Sequence, residues 1–280
     1  MGLTKRIAVV VVPVALVVGG VAYGVSRHAS SDDKTLGECT AKVGRLSVVV
    51  TDTQARNASL IAAVSIRRGL PAHAATIALA TALQESKLYN LRGGDRDSLG
   101  LFQQRPSQGW GTPREILDPV HATNSFYDAL TRVDGYDQLP VTVAAQRVQR
   151  SGYPSAYAVY ENDARALAST MTGFSPRAFW CHLPEPSGTP PPAARRAADL
   201  RRVLAPAFGP VSVQVGAGSH LEVAASSRTR GWAQAAYLVA HAQQAGLSSV
   251  TYAGYTWAAG SNAGWKGAQG GADTSAVVVD

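Results

Sequence analysis

The chain has little cysteine: two residues, Cys39 and Cys181, among 280. A disulfide-dense miniature scaffold is thereby excluded, and at most one internal bridge can form. The six histidines are scattered, at 28, 73, 121, 182, 220 and 241, without metal-ligand spacing. No metal site is expected from them, and no cofactor. There is no glycine-rich phosphate loop and no Gly-x-Ser-x-Gly elbow, so nucleotide-dependent and serine-hydrolase chemistry have no motif to rest on. Internal repeats are absent. A single long uncharged apolar run occurs, Ile7 to Val25, and one such run cannot form a transport path.

That run spans about 28 Å at ~1.5 Å per residue, close to the ~30 Å hydrocarbon core of a bilayer. Lys5 and Arg6 precede it and should stay in the cytoplasm, which predicts a single-pass anchor with the rest of the chain outside. A cleaved signal peptide is the alternative, with Ala22-Tyr23-Gly24 as a weak small-residue site. Glu38, immediately before Cys39, argues against lipoprotein processing. The net charge of +7 favours anionic surroundings, cell-wall polymer and lipid included. With an export signal present, the arginines at 195, 196, 201 and 202 read as a solvated patch rather than a nucleic-acid site. In an oxidising compartment Cys39 and Cys181 are expected to pair. A bridge closing a loop that long stabilises by up to ~4–5 kcal/mol in the chain-entropy description.

Residues 1–38 read as cytoplasmic start, anchor and tether, and 39–183 as a first domain. Prolines 184, 186 and 190 to 192 mark 184–210 as a linker, and 211–280 reads as a small α+β domain. The first domain reads as mainly helical. Helical spacing runs from Thr51 to Arg68, with Gly69 at the cap position. A second helix starts near Pro71 and reaches about Gln84, and Leu88 to Arg105 reads as loop or short strands. Asp118-Pro119 opens a further helix to about Val133, followed by helices over Val141–Gln149 and Tyr153–Ala168. No segment of this domain alternates convincingly as a strand. In the last domain Leu221–Ala225 reads as a strand, Gly231–Gln244 as an amphipathic helix, Val250–Trp257 as a hairpin and Ala276–Val279 as a strand. Its aromatic residues, Trp232, Tyr252, Tyr255, Trp257 and Trp265, suit either sugar stacking or a small core.

The chemistry-bearing stretch lies between Ala80 and Trp110. Glu85 ends an apolar helix, close to Leu83 and Leu88. Desolvation and the negative helix end both disfavour its charged form there, as a general acid requires. Glu85-Ser86, then Ser98-Leu99-Gly100-Leu101-Phe102-Gln103, then Pro106, resembles the signature of soluble lytic transglycosylases. Gly94-Asp95-Arg96 through Gln103 is also similar to goose-type lysozymes. The resemblance implies a lysozyme-like fold and a peptidoglycan substrate, with Glu85 protonating the bridging oxygen of the N-acetylmuramic acid to N-acetylglucosamine bond. It places Asp95 where goose-type enzymes hold water, and gives Ser98, Gln103 and Gln104 as substrate-binding candidates.

Two departures accompany it. Arg105 stands where a second goose-type aspartate falls; Asp97 is close by, and a cation favours the charged form of a neighbouring carboxylate. The transglycosylase motif Ala-Tyr-Asn is missing. In its place stand Ala144 to Gln149 and Ser151-Gly152-Tyr153-Pro154, the latter weakly similar to the Gln-Gly-Trp element of actinobacterial resuscitation-promoting factors. Gln149 and Tyr153 join the substrate-binding candidates on that basis. The C-terminal part resembles a module attached to other actinobacterial lysozyme-like wall proteins.

The sequence thus predicts a mainly α lysozyme-like domain behind one transmembrane helix and followed by a small α+β domain, acting on peptidoglycan as a membrane-anchored monomer. Transglycosylase and hydrolase chemistry both stay open. A peptidoglycan-binding or scaffold protein with little turnover is the competing function.

Overall fold

A computed structural model describes residues 36–150, 155–268 and 273–280. The anchor expected over Ile7–Val25 lies outside the described residues. Among the described residues no helix is long and apolar enough to cross a membrane.

The expectation of a mainly α first domain followed by a small α+β domain is corrected: helix accounts for 47 % and strand for 17 %, a mixed α/β fold. The first sheet is one reason. Strands β1 (Glu38–Val43) and β2 (Leu46–Thr51) form a hairpin, and β3 (Phe179–His182) pairs with the other side of β1, all antiparallel. These strands evade pattern reading because they are short. In addition, the central β1 buries Cys39, Thr40 and Ala41 in succession, so it shows no alternation. Cys39 faces Cys181 across the β1–β3 pair, and the two are joined as a disulfide.

Strand β2 runs straight into helix α1 (Asp52–Arg67). Thr51 accepts from the Gln54 N–H, and the Gln54 side chain accepts from the Thr51 N–H, a reciprocal cap that fixes the start of the helix. Helix α2 (Ala72–Ser86) is buried at every position from Ala74 to Leu83. A helix apolar all round belongs inside a protein, and its many alanines let neighbours approach closely. Around it pack α1, α4 (Pro119–Leu130, after the one-turn α3, Pro113–Ile116), α5 (Val141–Gln149) and α6 (Glu161–Met171).

The segment read as a linker holds a helix, α7 (Ala193–Phe208), that buries Leu200, Leu204, Ala207 and Phe208. Its end is capped from outside. Arg67 donates to the Pro206 carbonyl, and Arg230 donates to that of Phe208 (2.9 Å). Cations there complement the negative helix end. Beyond it come β4 (Val213–Val215), β5 (Leu221–Ala224), α8 (Arg228–Ala240), the short α9 (Ala242–Ala245), β6 (Ser249–Tyr252), β7 (Tyr255–Ala258), β8 (Lys266–Gly267) and β9 (Ala276–Val279). They build an antiparallel sheet ordered β4-β5-β9-β6-β7-β8. Helix α8, buried from Gly231 to Ala240, lies between this sheet and α1 and α6.

The two halves share one continuous apolar core. They also share β3. In antiparallel pairing alternate carbonyls face alternate sides, and those of Ala178 and His182 accept from β1 and its flank. The carbonyls of Phe179, Cys181 and Leu183 are taken by the C-terminal half: Trp265 Nε1–H donates to Phe179 (2.7 Å), Trp257 Nε1–H to Cys181 (2.8 Å) and the Gly260 N–H to Leu183 (2.7 Å). Trp257 is fully buried, and Trp232 and Tyr252 are nearly so. These aromatics therefore serve the core and the junction, not sugar stacking. Gly173, at the end of α6, has φ +83°, and a Cβ there would lie 2.0 Å from the Thr229 carbonyl oxygen of α8. Only glycine permits that approach.

Two outcomes are expected. Cys39→Ala/Cys181→Ala should lower unfolding stability by about 2–5 kcal/mol, read as a shift in urea midpoint; an unchanged midpoint would show that the β1–β3 pairing holds unaided. The second concerns His241, buried at 7 % exposure, with Nδ1 2.9 Å from the Tyr237 carbonyl and its ring stacked on Tyr237. Burial pushes its pKa down to about 4. The unfolded chain therefore binds this proton first as pH falls. Its contribution is complete above about pH 6.5 and lost towards pH 4, at up to about 1.4 kcal/mol per pH unit. Denaturant titrations from pH 7 to 4 should show that slope in the wild type and a flatter one in His241→Gln.

Candidate active site

Glu85 sits one residue before the end of α2 and is half-buried. The chain leaves the helix through two consecutive left-handed residues, Lys87 (φ 55°) and Leu88 (φ 62°), neither of them glycine. Each such residue costs roughly 1–2 kcal/mol, so the surroundings must hold them. The Leu88 N–H returns to the Ala82 carbonyl (3.1 Å) and the Lys87 N–H to that of Leu83 (3.2 Å), while the Leu88 side chain is buried. From α1, Gln54 donates to the Lys87 carbonyl (2.8 Å) and Asn57 to that of Leu88 (2.7 Å). The backbone that aims Glu85 is thus fixed from a second helix.

The loop that follows is folded back onto this helix end. Ser86 Oγ, buried, donates to the Leu101 carbonyl at 2.7 Å, with that of Ala82 at 3.1 Å. Leu101 and Phe102 are fully buried, and Phe102 stacks on Phe126 at 4.6 Å. Gly100 adopts φ +76°, and a Cβ there would lie 2.6 Å from the Ile116 carbonyl oxygen. Short antiparallel bridges, Leu91 with Gly100 and Leu99 with Gln104, tie the loop to itself. The two separated motif blocks are therefore one physical unit. Ser86 and the Gly-Leu-Phe-Gln turn clamp each other beside Glu85.

The sequence candidates divide. Gln103 (φ 48°) lays its side chain over Gly94, where a Cβ would come 1.7 Å from its Oε1, and donates to the Gly100 carbonyl (3.2 Å). Ser98 is buried, and its N–H bonds the Asp95 carbonyl (3.1 Å). Gln104 is only 1 % exposed and reaches the Ala122 carbonyl (3.1 Å), which puts it inside the fold rather than on a glycan-facing surface. Gln149 donates to the Phe102 carbonyl (2.7 Å), so it braces the same loop. Tyr153 lies outside the described residues. Asp95 is exposed, and its carboxylate has no partner among the described residues.

Asp97 has a different fate. Arg105 Nε donates to its Oδ1 (2.6 Å), and the Ser107 N–H to its Oδ2 (2.8 Å). The guanidinium, and then the Ser107 bond, hold this carboxyl well below the usual range. Both oxygens are committed, so Asp97 is a poor proton acceptor. Arg105, which stands where the resemblance sets a second carboxylate, pairs with the nearest substitute.

One functional residue was missed. Tyr157, fully buried in a 3-10 turn (Ala156–Tyr160), directs its hydroxyl to Glu85 Oε1 at 2.7 Å. Oε2 has no partner among the described residues. The signal in the sequence was the pair Ala156-Tyr157, which matches the first two residues of Ala-Tyr-Asn but is followed by Ala158, a little beyond the stretch where that motif was sought. Nearby, the Lys87 ammonium hydrogen-bonds the Tyr160 hydroxyl and lies 4.4 Å from the Tyr160 ring centroid. Among the described residues no three His, Cys, Asp or Glu side chains gather as a metal site requires.

No protein-family model matches the chain, and a search of curated proteins finds no significant match.

The clamp has a measurable consequence. Ser86→Ala leaves the buried Leu101 carbonyl without its closest donor, which should cost about 1–3 kcal/mol and loosen the loop. Urea denaturation gives the first quantity, and amide exchange across 98–104 the second. Wild-type values for both would mean that the clamp is dispensable.

Proposed function

We propose that this chain is an enzyme that cleaves the glycan strands of peptidoglycan outside the cytoplasm, with Glu85 as the acid. One observation carries the reading: Glu85 stands half-buried at the end of a buried helix, with one carboxyl oxygen held by Tyr157 and the other without a partner among the described residues. That arrangement orients a single proton toward a bound ligand, as general acid catalysis at a glycosidic oxygen demands. The motif blocks that resemble lytic transglycosylases meet at this carboxyl. The Cys39–Cys181 disulfide supports an exported location, since such bonds persist in oxidising compartments.

The chemistry follows from what surrounds the acid. Protonation of the bridging oxygen by Glu85 lets the C1–O bond break. The nucleophile at C1 is then either water or the 6-hydroxyl of the same muramic acid residue. Attack by water calls for a second carboxylate to hold it. Asp97 is locked by Arg105, and Asp95 is exposed and without a partner among the described residues. Attack by the 6-hydroxyl needs no second carboxylate: its proton returns to Glu85, and the product is a 1,6-anhydro sugar with no water consumed. The geometry favours this internal attack.

Glu85→Gln keeps the shape of the side chain and removes the proton. Glycan cleavage should fall by at least about a hundredfold, with wall binding and thermal stability retained. Asp95→Asn should leave the rate within a few-fold, and mass spectrometry of the products should show anhydro ends, lighter by one water than reducing ends. Full lysis by a folded Glu85→Gln variant would overturn the assignment of the acid. A large loss in Asp95→Asn with only reducing ends would make the enzyme a hydrolase.

A further inference from the structure

Two tyrosines of one short turn meet two residues at the exit of α2. Tyr157 directs its hydroxyl to Glu85 Oε1 (2.7 Å), and the Lys87 ammonium donates to the Tyr160 hydroxyl. In a 3-10 turn, side chains three residues apart stand one above the other. The two rings therefore leave Ala156–Tyr160 on the same side and reach α2 as a pair. Before and between them the turn faces solvent: Ser155, Ala158 and Val159 are exposed. Burial holds the Tyr157 ring in place, but a single ring is a pivot, about which the turn can roll. A second contact three residues on removes that freedom, and Lys87 supplies it.

The backbone at Lys87 points the same way. Lys87 ends α2 in the left-handed conformation (φ 55°, ψ 36°), where glycine is the favoured residue because it has no Cβ to clash. A side chain kept at such a position needs a compensating contact. Among the described residues the Lys87 side chain makes one hydrogen bond, to Tyr160, and has no carboxylate partner. Its ammonium also lies 4.4 Å from the Tyr160 ring centroid and stands at the negative end of α2, so charge strengthens the tie.

We infer that Lys87 is a positioning residue for Glu85: through Tyr160 it fixes the roll of the turn, and thereby the direction from which the Tyr157 hydroxyl meets the acid. The inference rests on the assignment of Glu85 as the acid made above, and deepens it by naming what holds the turn beside that acid. A proton donor must be aligned with the bridging oxygen as the bond breaks. Loss of the tie therefore lowers turnover and leaves ground-state binding as it was.

The test uses the full chain and an uncrosslinked peptidoglycan strand of defined length. Lys87→Gly relieves the left-handed backbone and removes the tie. Its urea midpoint should stay close to that of the wild type, because relief of strain offsets the lost contact. Its kcat should fall about ten- to a hundredfold, with KM within about twofold. Lys87→Arg, which keeps a cationic donor, should recover most of the rate. Lys87→Met and Tyr160→Phe should each lower kcat, and their combination should be no slower than either alone, since both remove the same tie. A wild-type kcat in folded Lys87→Gly and in Tyr160→Phe would overturn the positioning role and spare Glu85 as the acid. A raised KM with unchanged kcat would overturn it too, by making Lys87 a ligand for the substrate. Failure of the wild type to cleave the strand would overturn both the acid assignment and the inference built on it.

Discussion

Three carbonyl oxygens, those of Phe179, Cys181 and Leu183, point out of the first sheet on the side away from β1, and all three are met by the C-terminal half. An open strand edge invites pairing with other chains. Here two indoles and one backbone amide close it. The other side of β3 is held by β1 and by the disulfide. From there the constraint runs through the hairpin into the Thr51 cap, along α1, and through Gln54 and Asn57 to the left-handed exit of α2. Glu85 is therefore aimed by a line of contacts that begins at β3, outside the site itself. The C-terminal half contributes no residue to the Glu85 site described here, yet it secures the strand on which that line depends.

Departures from easy backbone geometry gather at the site. Of the eight non-glycine residues with positive φ among the described residues, Lys87, Leu88, Arg96, Gln103 and Arg150 fall on the end of α2, on the loop packed against it or on the cap of α5. Strained positions survive where the surroundings over-determine them, and they concentrate where function needs a fixed shape. The buried Leu88, the Ser86–Leu101 bond and the Gln149–Phe102 bond provide that determination.

Much of this was legible in the sequence because it is local. The starts and ends of α1, α2 and α5 follow from apolar spacing, a glycine at the cap position and a proline, and the structure places them within a few residues of those readings. The pairing of Cys39 with Cys181 followed from compartment and count. The strands of the first sheet were not legible, because β1 is buried on both faces and its partner β3 arrives from far along the chain. Gln104 looked like a groove residue, since a carboxamide suits a sugar and equally suits a helix carbonyl; only burial decides between them. Tyr157 was hidden because its partner is 72 residues away. Helix α7 was masked by the prolines before it, although its buried residues keep helical spacing.

The order of strands in the second sheet bears on how the chain must be made. Strand β9 lies between β5 and β6, so neither neighbour can complete its pairing until residues 276–279 are available. The indoles that close β3 come from β7 and the turn just beyond it, also late in the chain. These parts are synthesised after all three strands of the first sheet. Until then β3 carries an open strand edge, the kind of surface on which another chain can add a strand.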